Sequence, residues 1–168
     1  MDESALPLDA ETKAIERPSD HKNELRLWLR LFSCKVLIEG EIRRRLRDNF
    51  DMTLPRFDLM AQLDKAPAGM KLGELSQRLM VSNGNTTGLV ERLVEQGLID
   101  RQVAPNDGRA QLVKLTAEGR RAFRNMAASH ENWIAELFAD LTRSEIETLM
   151  RLIAKAKASA RKATARGR

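Results

Sequence analysis

Between Ser82 and Gly88 the chain reads Ser-Asn-Gly-Asn-Thr-Thr-Gly, a run of hydroxyls and carboxamides with no acid until Glu91. Such side chains hydrogen-bond base edges and phosphate oxygens. If they open a helix, its unpaired N–H groups and its dipole also favour phosphate. Two glycines inside a helix cost roughly 1 kcal/mol each relative to alanine, and close approach of the backbone to a rigid partner would offset that. The plainer alternative is a polar surface helix whose glycines fit against a neighbouring element. Further on, Arg109 closes the turn-rich stretch Ala104-Pro105-Asn106-Asp107-Gly108-Arg109. An arginine at such a tip can enter a minor groove, where narrow A·T tracts concentrate negative potential. Asp107 would hold the guanidinium or shape the turn through an Asx bond. The plainer alternative is a solvated charge beside a turn former.

Other chemistries find little material. The chain has two histidines, one cysteine and no tyrosine, and no spacing typical of a zinc site, a phosphate loop or a nucleophile elbow. No catalytic residue, metal or cofactor is expected. His130 falls on an apolar helical face and reads as core or interface. Cys34 lies between Phe32 and Val36 and reads as an inert, buried thiol.

The elements that must hold the polar run are legible around it. Leu72, Leu75 and Leu79 recur at helical spacing, Met80 and Val81 form a turn, and Ser82 caps the next helix. That helix buries Leu89, Val90, Leu93 and Val94 and stops at Gly97. Leu98–Val103 and Ala110–Leu115 are β-compatible runs that make a hairpin. Upstream, Ser19 or Asp20 caps a long helix to about Asn49 with an apolar stripe of Leu25, Trp28, Leu29, Phe32, Val36 and Leu37. Thr53 caps a second helix with Pro55 in its first turn and Phe57, Met60, Ala61 and Leu63 on its buried face. Downstream, Thr116 caps a helix to about Ala139, and Thr142 to Glu145 has capping-box spacing for a last helix. Ile146, Leu149, Leu152, Ile153 and Ala156 form that helix's apolar stripe.

A chain of 168 residues with 42% hydrophobic side chains suffices for one domain with a real core. Residues 1–18 read as a flexible acidic arm, 19–158 as a single domain and 159–168 as a frayed basic tail. Net charge is +5, with −4 over residues 1–20, +6 over 155–168 and +3 between. Charge alone therefore does not argue for nucleic acid; the placement of the arginines does. One cysteine fits a reducing compartment, no apolar run approaches a membrane span, and no secretion signal opens the chain, so a cytoplasmic location is expected.

The helix–turn–helix, the hairpin with its Asp107-x-Arg109-Ala110 tip, Val-Lys-Leu-Thr and the long helix after it together resemble the MarR family of bacterial transcription regulators. Thr53-Leu54-Pro55-Arg56-Phe57-Asp58-Leu59 resembles the segment opening that family's second helix, and the match spans about Glu24 to Ile153. The resemblance implies a mainly α fold with a small β-hairpin wing, of about six helices. The winged lobe would fall at about 52–116 and the dimerisation helices at about 19–49 and 117–158, the first, fifth and sixth in order. It implies a homodimer on a palindromic double-stranded operator, a repressor released by a small molecule. On that basis Asn83, Asn85, Thr86 and Thr87 would read bases or nearby phosphates. Ser82, Arg92 and Arg101 would position the backbone, and Arg109 with Asp107 would serve the minor groove. The closest likeness in wording is to members governing aromatic-acid degradation. It implies a small aromatic effector, as the free acid or as an aroyl- or hydroxycinnamoyl-CoA thioester, near Trp28, Phe32, Phe57 and Met60, with CoA phosphates against Arg43, Arg44 or Arg47. Some relatives sense peroxide through a first-helix cysteine, which makes a redox role for Cys34 one alternative. A winged protein-interaction module without DNA readout is another.

Overall fold

The computed structural model describes residues 23–104 and 107–166, with all their side chains except those of 104, 107–110 and 166. The expected arm over 1–18 and the expected helix start at Ser19 or Asp20 lie outside the described residues. Six helices and three strands follow in the order α1 (Asn23–Phe50), α2 (Leu54–Asp64), β1 (Met70–Lys71), α3 (Leu72–Leu79), α4 (Asn83–Glu95), β2 (Ile99–Ala104), β3 (Asp107–Leu115), α5 (Ala117–Leu137) and α6 (Arg143–Arg166). The class is the expected one, mainly helical with a small antiparallel wing. The chain divides into two compact units after His130.

In the first unit α1 stops where Asp51 enters the left-handed region at φ 50°. The Asp51 N–H then donates to Arg47 O at 3.0 Å and that of Met52 to Leu46 O at 3.2 Å, a common way to close a helix. Thr53 takes the N-cap position of α2 but makes no side-chain cap bond. Its hydroxyl instead accepts from Arg56 Nε at 3.2 Å, and the same guanidinium donates to Asp51 O at 2.9 Å and to Gln96 Oε1 at 3.1 Å. The buried face of α2 is Phe57, Leu59, Met60 and Leu63. Leu59 replaces the expected Ala61 because α2 packs against α1, α3, α4 and β3 and so buries more than one stripe.

Strand β1 was not anticipated. It is two residues long and pairs with β3 through Met70 opposite Val113, giving a three-stranded antiparallel sheet in the order β1-β3-β2. Strands β2 and β3 run from Ile99 opposite Leu115 to Ala104 opposite Asp107, with an irregularity at Val103 and Ala104. Ile42, Leu46, Leu63, Leu75, Val90, Leu93, Val113 and Met126, all nearly inaccessible, fill the centre of the unit. Each such side chain contributes about 1.5–3 kcal/mol on leaving water. Val94, expected inside, is exposed; it stands at the edge of the face that buries Val90 and Leu93.

The N-terminal half of α1 is different. Leu25, Leu27, Trp28, Leu31, Phe32 and Leu37 are all exposed. Cys34 is exposed with them, which corrects the expectation of a buried thiol: among the described residues its apolar neighbours on α1 are themselves left open.

In the second unit, α6 opens with the expected capping box. The Thr142 N–H donates to Glu145 Oε2 at 2.7 Å, and the Glu145 N–H returns to Thr142 Oγ1 at 3.3 Å. The hydroxyl and amide of Thr142 hold the Glu145 carboxyl below its ordinary range. The helix then continues to Arg166, past the expected end near 158 and through the stretch expected to fray. Alanine, lysine and arginine are strong helix formers, which accounts for the extension. Ile146, Leu149, Met150, Leu152 and Ile153 remain exposed along it. Between α6 and the end of α5 lies an apolar groove of about 640 Å³ that includes Ile134, Phe138, Leu149 and Ile153. Among the described residues, no helix is long and apolar enough to cross a membrane.

Candidate nucleic-acid interface

The pairing of α3 with α4 is fixed by two hydroxyls as well as by leucines. Ser76 Oγ lies 2.9 Å from Thr86 Oγ1, and the Thr86 hydroxyl donates to Ser82 O at 3.1 Å. Both side chains are buried, Thr86 completely. Thr86 is therefore not a base-reading residue: the helix pair consumes its polar atoms, and a buried hydroxyl left unpaired would be costly. The turn between the helices places Met80 in the left-handed region at φ 56°, its N–H donating to Gln77 O, with the side chain 94% exposed.

Ser82 caps α4, its hydroxyl accepting from the Asn85 N–H at 3.3 Å. Asn83, Gly84 and Asn85 are exposed, Thr87 is half-buried with its hydroxyl donating to Asn83 O, and Gly88 is exposed. A Cβ built on Gly84 or Gly88 would meet no atom within 4 Å. The idea that these glycines fit against a neighbouring element of the chain thus fails within the described residues. What α4 presents is a smooth, acid-free ridge of amides and bare backbone, ending in a capped N-terminus whose first N–H groups have no helical acceptor.

The two expected backbone-positioning arginines lie on α4 and on β2. Arg92 is exposed near the end of α4. Arg101 on β2 donates to the Gln111 carboxamide of β3 and lies 3.9 Å from the Glu91 carboxylate, which ties the wing to α4. The side chains of Asp107 and Arg109 lie outside those described; their backbone belongs to β3 at the wing's turn. Arg56 was not singled out from the sequence, yet it joins the α1–α2 junction to the end of α4 through Gln96. Nothing in its local pattern announces that contact, which spans 40 residues.

The residues expected to hold an effector do not all suit it. Phe57 and Met60 are buried in the lobe, Phe57 against Phe123 and His130 at ring-centroid separations of 5.5 and 5.1 Å. They are core, which is what their spacing on α2 requires. Burial lowers the pKa of His130, opposed by the Asp58 carboxylate, which fits its packing as a neutral ring. Trp28 and Phe32 face each other at 6.0 Å and are open to solvent. Arg43 and Arg44 are engaged on their own helix, Arg43 with Glu39 and Arg44 with Glu41 and Asp48. Hydrogen bonds from Arg44 and Arg45 lower the Glu41 pKa to about 2. This is the pattern of a solvated, self-paired face rather than an open phosphate site. Arg47 is exposed.

The model of the MarR family matches residues 50–110, from the end of α1 to the start of β3. The chain is 30% identical over 118 residues to the transcriptional activatory protein BadR of Rhodopseudomonas palustris, covering 68% of this chain and 67% of that protein. It resembles the crystal structure of a MarR family transcriptional regulator from Silicibacter pomeroyi with a TM-score of 0.71 and 31% identity, over 82% of this chain and 95% of that one. It shares its fold with a MarR family regulator from Streptomyces coelicolor crystallised in complex with DNA, at a TM-score of 0.69 and 24% identity over 82% and 92% of the two chains.

Proposed function

This chain belongs to the MarR family of DNA-binding transcription regulators, and on that premise we propose that it acts in the cytoplasm as a homodimer on a pseudo-palindromic operator. One α4 would enter each of two successive major grooves about 34 Å apart. The observation that carries this reading is the open flank of Gly84 and Gly88. Backbone without side-chain cover, beside exposed Asn83 and Asn85, is the form a helix takes when something rigid must come close. Ser82 and the free N–H groups at the head of α4 serve a phosphate, and Arg92 and Arg101 support the flanks. Arg109 at the wing's turn is assigned to the minor groove. Arg109→Ala is expected to weaken operator binding about tenfold or more at fixed salt and to leave the melting temperature unchanged. Undiminished affinity would sink that assignment.

The apolar surface left open on α1 and α6 supports the dimer. Trp28, Phe32, Leu149 and Ile153 are exposed in the single chain, more than scattered surface apolars require, and a two-fold interface is the commonest way to cover them. Leu149→Glu combined with Ile153→Glu is expected to shift the protein to monomers at micromolar concentration, as sedimentation would read it. A dimer that survives both charges would contradict the interface.

The regulation is read as repression relieved by a small aromatic effector, the free acid or its CoA thioester, bound beside the exposed Trp28–Phe32 pair. Relief needs only that the ligand bind tighter to a spacing of the two α4 helices that misses the grooves. Calorimetry with benzoate, a hydroxycinnamate and their CoA thioesters tests it; heats no larger than dilution for all of them would remove the effector class. The name of the activatory relative BadR favours a second reading, in which DNA-bound protein raises transcription. A promoter fusion that falls when the protein is deleted would select it.

A further inference from the structure

The winged lobe carries almost no net charge. Residues 54–115 hold eight basic and seven acidic side chains, and residues 1–148 hold 22 basic against 24 acidic. Affinity for duplex DNA is dominated by cations on phosphates, and a lobe this balanced provides little long-range attraction. The positive charge lies elsewhere. After Glu147, which is engaged with Arg143, no acid follows, and residues 149–168 hold seven basic side chains.

Within α6 these charges are ordered. Arg151, Lys155 and Lys162 are spaced by four and seven, which puts them on one stripe. The apolar Leu149, Ile153 and Ala156 fall on the opposite side. Arg161 lies about a quarter turn off the stripe and Lys157 at the margin of the apolar side, and all five basic residues are exposed. Covering the apolar side in a dimer would therefore leave the cationic side open. Arg151–Lys155 and Lys157–Arg161 are like-charged pairs at i, i+4, an arrangement that opposes the helix. A polyanion would relieve that repulsion.

We propose that the C-terminal half of α6 is a sequence-independent contact for the phosphates of duplex DNA, supplying the attraction that the neutral lobe lacks. It rests on the family's DNA binding but not on the assignment of α4 to the major groove. The test uses the full chain with Arg151, Lys155, Lys157, Arg161 and Lys162 changed to Gln, and a duplex of scrambled sequence titrated at several salt concentrations. The plot of log affinity against log salt is expected to become shallower by roughly 0.9 for each phosphate contact given up, with affinity at fixed salt falling at least tenfold. A variant exchanging lysine and arginine at the same five positions keeps the slope. If the fivefold variant does not fold by circular dichroism, Lys155→Gln with Lys162→Gln shows a smaller shift in the same direction. Asn83→Ala with Asn85→Ala, by contrast, removes operator preference and leaves the salt slope intact, which separates this contact from the α4 reading. An unchanged slope in the folded Gln variant overturns the proposal. So does a slope that the Gln changes leave alone but that steepens when residues 1–18 are removed, because the acidic arm would then be the occupant of the helix.

Discussion

Gly84→Ala combined with Gly88→Ala is expected to make the free protein more stable and the DNA complex weaker. Gly84 lies in the first turn of α4 and Gly88 in its interior, and a methyl group at either would meet nothing within 4 Å beyond its own stretch of helix backbone. Alanine is favoured over glycine in an exposed helix interior by about 1 kcal/mol, partly through the unfolded chain. For a domain of this size that raises the melting temperature by roughly 2–4 °C at Gly88, with a smaller gain at Gly84 in the first turn. On a duplex the same methyl groups would stand between the helix backbone and the groove wall. Holding the helix off by even part of a methyl radius lengthens every hydrogen bond from Asn83 and Asn85. The expected loss is at least tenfold in operator affinity, about 1.4 kcal/mol, measured by titration at one salt concentration beside a thermal melt. The opposite signs make the pair informative. If stability rises and affinity holds, α4 does not press against DNA.

The same substitution at Gly119 is expected to do the reverse to the fold. Gly119 lies buried in the first turn of α5, and its built Cβ would stand 1.9 Å from the Leu98 carbonyl oxygen, 2.8 Å from its carbon and 3.1 Å from its Cα. All three are main-chain atoms, so no rotamer change relieves the overlap. The Leu98 oxygen also accepts the Thr116 N–H at 3.1 Å, which anchors it further. Overpacking in a tight site costs about 1–3 kcal/mol, and a backbone clash belongs at the top of that range. Against a total stability of about 5–15 kcal/mol, Gly119→Ala should lower the melting temperature by roughly 10 °C. A melt identical to the parent's would show that α5 can slide away from the start of β2, and the close approach would lose its structural meaning.

What the sequence made legible was local. Ser82 and the Thr142–Glu145 box could be read because a cap depends on residues three positions apart. The helical spacing of Leu75, Val90 and Leu93 identified true core for the same reason. Thr86 was misread because its neighbours in sequence are polar, and only the arrival of Ser76 from another helix makes it interior. Strand β1 escaped because two residues carry no period, and their strand character comes from β3, more than forty residues on. Phe57 and Met60 looked available to a ligand because aromatic and methionine side chains line pockets and cores alike; only packing tells them apart. Cys34 failed in the other direction. An apolar neighbourhood in sequence suggested burial, but the residues around it on α1 are themselves open.

The bonds around Thr116 have a mechanical consequence. Its hydroxyl donates to Gly97 O at 2.7 Å and accepts the Gly119 N–H at 2.9 Å, while its own N–H donates to Leu98 O. The tail of α4, the root of the wing and the head of α5 are thus bolted together at one residue. A small swing of α5 would pull on the end of α4 and the start of β2 together, because the same residue holds all three.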